Sequence, residues 1–496
     1  MSFGNLIKKL QDIMRTDPGI NGDAQRIEQI VWMLFLSLYD AKEQEWEIID
    51  KNYVSIIPEE YRWRNWAIDN KDGKALTGDE LVTFINKLFR TLKNLEITPD
   101  TPVRSRIVRE VFTDLNNYMK DGIAIRQMVN EFTKLDLADF QNRHAFNEIY
   151  ETILKDLQSA GNSGEFYTPR AITDFVTRMV NPKVGDTVAD FACGTGGFLV
   201  SALKHMTQND SVDTVESNKK LQSAFYGVEK KPLPYLLCTT NMLLHDINDP
   251  EIIHGNSLEK NVRDYDEKDK FDIILMNPPY GGNEKKAIQS NFPRELADSE
   301  TADLFIVEIM YRLKKGGRCG IVLPDGLLFG GDNTKTAIKK KLLEEFNLHT
   351  IIRLPGSIFA PYTSIATNLL FFDNTHPTKE VWFYRMDMSE GYKAFSKTRP
   401  VELKHMAPIE KWWNDRKEIE DGKKSDDSSV TYKAKSYTVA EIADHNYNLD
   451  LCGFPQEEKV ILSPEETIKN FIEKREALEK EIDQKLEELK QLLEIK

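Results

Sequence analysis

Apolar positions in the first 158 residues recur at helical spacing. Leu81, Phe84, Ile85, Leu88, Phe89 and Leu92 share one face of a 3.6-residue period, and Thr77-Gly-Asp-Glu80 ahead of them reads as a capping box. The same periodicity runs through 25–39, 106–119 and 144–157, so a helical N-terminal domain is predicted over 1–158. Trp46, Trp63 and Trp66 are expected in its core. After Ala160-Gly-Asn-Ser-Gly164, a turn-rich hinge, the pattern changes. Short apolar runs at 187–190, 224–229, 251–258, 271–276, 318–323, 348–354 and 368–372 read as strands. Helical stretches at 171–180, 235–244 and 303–313 lie between them, and Lys-Lys-Gly-Gly at 314–317 reads as a turn. Ile273 to Met276 is apolar without alternation, as in a parallel strand covered on both faces. The alternation therefore predicts an α/β fold, a doubly wound, Rossmann-like parallel sheet, over 159–420. Residues 421–429 are charged and serine-rich and read as a loop opening a linker to 463. Ser463-Pro-Glu-Glu466 then caps a long helix over 464–496, about 50 Å at 1.5 Å per residue. Ile468, Ile472, Ile482, Leu486, Leu489 and Leu493 give it a broken heptad seam.

Composition narrows the class. The chain has 496 residues, enough for about three domains of roughly 150 residues each. Its 40% hydrophobic and 29% charged content is that of a globular protein. No 18-residue apolar run or signal-peptide pattern occurs, so neither a membrane span nor export is expected. Cys193, Cys238, Cys319 and Cys452 are far apart, which favours a reducing cytoplasm and argues against a metal site. The net charge of −14 is awkward for a protein that grips nucleic acid unaided.

The candidate chemistry sits where the fourth strand stops. Asn277-Pro278-Pro279-Tyr280 follows Met276, and two prolines cannot continue a ladder. The residue before a proline is held extended, so Asn277 should project from the carboxyl edge of the sheet, where open α/β sheets bind ligands. The Asn277 side-chain carbonyl and the Pro278 backbone carbonyl offer two acceptors to a planar NH2 group, and Tyr280 offers a flat face. Two such hydrogen bonds draw electron density back onto the nitrogen and make it nucleophilic. An exocyclic amine of a base or a side-chain amide fits.

Upstream, Asp190 precedes Phe191-Ala-Cys-Gly194-Thr195-Gly196-Gly197-Phe198. A dinucleotide loop would need a third glycine at 199, which is leucine. Asp190 suits the ammonium of an amino-acid moiety, and Glu229, ending the next strand, suits two ribose hydroxyls. S-adenosylmethionine carries both groups and no phosphate, whereas NAD would leave Asp190 idle.

These motifs, with Glu165-Phe-Tyr-Thr-Pro169, resemble the modification (methyltransferase) subunit of type I restriction–modification systems, N6-adenine DNA methyltransferases of the gamma arrangement. The resemblance extends through Val322–Phe329 and Ile352–Phe359, close over 160–375 and only in layout outside it. It implies that Phe166, Tyr167 and Thr168 line the methionine end of the cofactor. Asp190, Gly194, Thr195, Gly196, Gly197 and Phe198 would form its amino-acid pocket, and Glu229 would hold its ribose. Asn256 would meet its adenine amine, although a plain turn residue fits as well, and Phe305 would pack nearby unless it is simply core. Asn277, Pro278, Pro279 and Tyr280 would hold and stack the target adenine. Phe191 departs from the family's usual proline.

An adenine inside a duplex must be flipped out to reach such a corner. No stretch of the chain reads as a recognition domain, and no Gly-x4-Gly-Lys-Ser/Thr loop is present. The resemblance supplies a separate specificity subunit bound by two copies of this chain, and a restriction subunit in the full complex. The remaining readings are a protein glutamine methyltransferase, an rRNA base methyltransferase, a stand-alone DNA methyltransferase and a catalytically inactive assembly protein.

Overall fold

The computed structural model describes residues 4–69, 73, 75–135, 137, 150, 167–360, 363–389, 391–423, 430–451 and, in the tail, Ile472, Arg475, Glu479, Ile482 and Lys485. The N-terminal block is helical, as expected. Its central helix, Asp23–Ile49, buries every residue from Ile30 to Leu36, so it is surrounded on all sides. Helices Gly78–Lys93, Val103–Thr113 and Gly122–Phe132 complete the packing, and Trp46, Trp63 and Trp66 lie in the core. Thr77 occupies the N-cap of Gly78–Lys93 but makes no side-chain capping bond, so the expected capping box does not form. The helix predicted over 106–119 runs instead over Val103–Thr113. Beyond it the chain is extended, with the Lys120 and Asp121 N–H groups donating to the Asp17 carboxylate at 3.1 and 2.9 Å. Of the expected helix at 144–157 only Tyr150 is described, and it is helical.

Among the described residues ten strands form one sheet: β1 (Val188–Asp190), β2 (Phe225–Glu229), β3 (Glu251–His254), β4 (Phe271–Met276), β5 (Leu313–Pro324), β6 (Asn347–Arg353), β7 (Thr367–Asp373), β8 (Glu380–Arg385), β9 (Ile419–Lys423) and β10 (Val430–Thr438). Their order is β3-β2-β1-β4-β5-β7-β6-β8-β10-β9. Residues along β4 alternate between two cores. Ile273 and Leu275 join the one roofed by helices Arg170–Val180, Gly197–Asn209 and Pro232–Leu244. Ile274 and Met276 join the other, under helices Thr301–Arg312 and Asn333–Glu345. The sheet is thus covered on both faces, as its apolar strands require.

The expected parallel, doubly wound sheet is found in β1 to β5, and the rest of the sheet is mixed. β1 to β5 are mutually parallel, but β7 runs antiparallel to β5 and β6, and β10 antiparallel to β8 and β9. A parallel return needs a long crossover, usually a helix; among the described residues the segment from β6 to β7 carries none, so the strand turns back. The third strand ends at His254 rather than 258, because a 3-10 turn over Ser257–Glu259 follows. The glycine turn at 314–317 lies inside β5, with Gly316 at φ 79° and a register shift between Phe271 and Ile273 of its neighbour. The boundary expected after 420 falls within β9. This is the terminal strand of the sheet, and charged Glu420 and Asp421 suit an edge that must not pair further.

Helix Asp23–Ile49 packs on helix Pro232–Leu244, Lys42 pairs with Asp246, and the Tyr235 hydroxyl donates to Glu110 at 2.8 Å. Residues Met1–Gly453 form one compact unit and Phe454–Lys496 a second. The boundary expected at 158/159 lies outside the described residues, as does most of the expected tail helix. The five described tail positions are helical and exposed. No helix among the described residues is long and apolar enough to cross a membrane.

Candidate active site

The winding of the sheet reverses between β1 and β4, which pair in parallel through Val188–Ile273 and Ala189–Ile274. A crevice opens at such a switch point, beyond the carboxyl ends of the strands. Asp190 ends β1, Glu229 ends β2 and Asn277 follows β4, so the three residues singled out from sequence meet at one edge.

The loop after β1 is built by its glycines. Gly194 (φ 54°) and Gly196 (φ 80°) take left-handed conformations costly for other residues, and Gly197 opens helix Gly197–Asn209. A Cβ on Gly196 would lie 2.9 Å from the Cys238 sulfur. The Gly194 N–H donates to Glu229 Oε2 at 2.9 Å, and the Lys231 N–H to Oε1 at 2.7 Å, which aims the carboxylate. The Thr195 carbonyl accepts from Asn241 Nδ2 at 2.9 Å. Asp190 is 2% exposed and accepts from the Ala192 N–H at 3.1 Å. Burial pushes its pKa well up, and the nearby Glu229 charge adds to the effect. A cationic group brought between these two acids would relieve both. Phe198 is buried in the core.

The upstream element is tied to the catalytic corner. Asn277 Nδ2 donates to Thr168 Oγ1 at 2.9 Å, across 109 residues of sequence. Tyr167 is half-buried, with the Arg170 guanidinium 5.9 Å from its ring centroid, and Arg170 also donates to the Gly197 carbonyl at 3.1 Å. Arg170 thus braces the donor loop from the helix Arg170–Val180, a role with no motif to announce it. Phe166 lies outside the described residues.

Asn277 is half-buried, Pro278 buried and Pro279 exposed. Tyr280 differs from expectation. Its ring is 9% exposed and meets Phe359 edge-on at 6.4 Å, so it is not an open stacking face, and its hydroxyl donates to Asn277 Oδ1. A buried phenol needs a hydrogen-bond partner, and Asn277 is within reach; burial also raises the phenol pKa. A carbonyl oxygen has a second lone pair, which leaves Asn277 an acceptor.

Asn256 behaves as a turn residue, Oδ1 accepting from the Leu258 N–H at 3.2 Å. Phe305 is 4% exposed and sits in the same core as Phe191 and Leu258. Two open surface hollows, one lined by Lys8, Asp12 and Gln127 and one by Lys183, Asp210 and Lys220, include none of the edge residues. Among the described residues no group of His, Cys, Asp and Glu could hold a metal.

Comparison with known proteins identifies the family. Residues 141–460 match the N-6 DNA Methylase family and residues 3–132 the HsdM N-terminal domain. The chain is 46% identical over 473 residues to the type I restriction enzyme EcoEI methylase subunit of Escherichia coli, covering 95% of this chain and 94% of that one. It is 27% identical to the EcoKI methylase subunit of Escherichia coli strain K12, over 81% and 74% of the two chains. Among solved structures, a chain from a type I restriction–modification assembly superposes with a TM-score of 0.78 at 36% identity, covering 99% of this chain and 98% of that one. A modification subunit assigned to a type I restriction enzyme of Vibrio vulnificus YJ016 gives 0.76 at 37%, over 89% and 93%. With a glycine loop and an Asn-Pro-Pro-Tyr corner at one switch point behind an HsdM-type helical domain, the chain belongs to the N-6 DNA methylase family, as a type I methylase subunit.

Proposed function

We propose that the chain moves a methyl group from S-adenosylmethionine to N6 of an adenine flipped out of DNA. The observation that carries this reading is the placement of Asn277 beside the Asp190 loop, at the ends of adjacent parallel strands. Asp190 takes the donor's ammonium and Glu229 its ribose hydroxyls. Gly194 and Gly196 let the backbone approach, and Tyr167 and Thr168 wall the methionine end. The donor set fits: two carboxylates at strand ends beside a left-handed glycine turn, with no phosphate-binding charge required. When bound, S-adenosylmethionine supplies an electrophilic methyl on a sulfonium.

Asn277 Oδ1 and the Pro278 carbonyl accept hydrogen bonds from the two N6–H groups and so raise the nucleophilicity of the nitrogen. The new N–C bond forms as the C–S bond breaks; sulfur keeps the electron pair and one N6 proton leaves to solvent. For Tyr280 to stack on the base, its ring must turn from Phe359 and its hydroxyl from Asn277, which links base entry to release of the acceptor. Asn256 Oδ1, which accepts from the Leu258 N–H in the turn, keeps a second lone pair for the amine of the donor's adenine, with Phe305 in the core behind. Recognition of the DNA site falls to a specificity subunit, consistent with the net charge of −14 on this chain. Two copies bind each specificity subunit, a restriction subunit joins for cleavage, and the complex works in the cytoplasm.

The test is Asn277→Ala. Methylation should fall by orders of magnitude, on the order of 10²-fold or more for a lost polarising acceptor, while the affinity for S-adenosylmethionine stays unchanged. A variant that retains a tenth of the activity would mean the corner has another task.

A further inference from the structure

Behind the donor edge lies a buried charged group that the proposed reaction does not use. Glu308 is 0% exposed and Arg312 3% exposed, both on helix Thr301–Arg312. Arg312 Nη1 donates to Glu308 Oε1 at 3.2 Å, and Nε to the Asp269 carbonyl at 3.1 Å. The guanidinium sits among four rings, 4.1 Å from the centroid of Phe191, 4.5 Å from Tyr265 and 5.1 Å from Tyr226 and Phe271. The Tyr265 hydroxyl donates to Glu308 Oε1 at 3.1 Å. The Ser257 hydroxyl lies 3.0 Å from Glu308 Oε2 and 3.3 Å from the Phe191 carbonyl, with one proton to give.

A buried ion pair is a poor source of stability, because well-packed apolar residues usually serve as well. What such a network does supply, when every member is satisfied, is a single geometry. The geometry specified here joins two segments far apart in sequence. Phe191 follows Asp190 in the loop after β1, and Ser257 follows Asn256 in the turn after β3. Those are the two sides of the crevice that the donor's adenine must enter.

We propose that Glu308 and Arg312 are positioning residues that hold Ser257 and Phe191 in fixed register and so shape the adenine end of the methyl-donor pocket. The proposal rests on the reading of Asp190, Glu229 and Asn256 as that pocket. Arg312 pins the donor loop through the Phe191 ring; Glu308 pins the Asn256 turn through the Ser257 hydroxyl. The expected consequence is recognition of the base, not of the ribose or the amino acid.

Calorimetry on the full-length chain tests this with two probes, S-adenosylhomocysteine and its inosine counterpart, in which a carbonyl replaces the exocyclic amine. Wild type should prefer the adenine compound; if it binds neither, the donor-pocket reading fails, and this proposal with it. Ser257→Ala removes only the hydroxyl link and Phe191→Leu only the ring face, so both should fold, with melting temperatures lowered by a few degrees. Each should bind S-adenosylhomocysteine about five- to tenfold more weakly, the scale of one ordinary hydrogen bond or cation–π contact, and lose the preference for adenine over hypoxanthine. Ser257→Thr should restore both. In turnover, KM for the methyl donor should rise while kcat holds. If wild type binds and both variants keep its affinity and preference, or if both probes weaken by the same factor, Glu308 and Arg312 are structural only and the proposal is overturned.

Discussion

At Gly196 the backbone turns left-handed at φ 80°, and an added Cβ would meet the Cys238 sulfur at 2.9 Å. Gly196→Ala should therefore cost about 1–3 kcal/mol in urea unfolding, from backbone strain alone. It should also weaken S-adenosylmethionine binding more than tenfold in calorimetry, since the strained loop carries Gly194 and its bond to Glu229. An alanine variant that is neutral in both measurements would remove the glycine loop from the donor site. Asp190, Glu229 and Asn277 were legible because each ends an apolar run, and the end of a parallel strand is a position that local pattern defines. The contacts that lock the site were not legible. Thr168 meets Asn277 across 109 residues and Ser257 meets Glu308 across 51, and no local periodicity reports either pairing. Nor could the sequence show that the Tyr280 ring packs inward, since that depends on Phe359 reaching it from the segment after β6.

Elements were legible in type more than in direction or extent. β7 reverses because a short connection cannot cross over a sheet, and its apolar run was legible without its partner; β8 and β10 were not read as strands, and β10 falls in the stretch expected to be linker. β9 was hidden by its charge, which belongs to an edge strand and imitates a loop. Helix caps show the same gap between pattern and bond. Thr77 has a capping-box sequence and makes no capping bond, whereas Asp121 accepts from the Ile123 and Ala124 N–H groups at 2.8 and 3.3 Å. Asp121→Ala should then cost about 1 kcal/mol and Thr77→Ala less than about 0.5 kcal/mol by urea unfolding. Equal costs would show that the Thr77 cap forms in solution.

On the scale of the whole molecule, the charge of −14 accords with the proposal that DNA is read by a separate subunit. The arm we propose for that partner lies in the second unit, Phe454–Lys496. Ile472 and Ile482, two positions of its heptad seam, are helical and 48% and 54% exposed, and an apolar seam in water calls for a helical partner. Deleting 464–496 should leave a folded protein that binds S-adenosylmethionine but no longer coelutes with the specificity subunit in gel filtration. Coelution at wild-type affinity would refute the tail as an arm, and an insoluble or cofactor-dead truncation would mean that it packs on its own catalytic unit. The central claim, methyl transfer to adenine N6 at the Asn277 corner, meets its most direct test in nucleoside mass spectrometry. Duplex DNA would be incubated with the chain, its specificity partner and isotopically labelled S-adenosylmethionine. The predicted result is label in N6-methyldeoxyadenosine at a single sequence motif, abolished by Asn277→Ala; label in N4-methyldeoxycytidine or in protein glutamine, or none in DNA from an assembled complex that binds the donor, would contradict it.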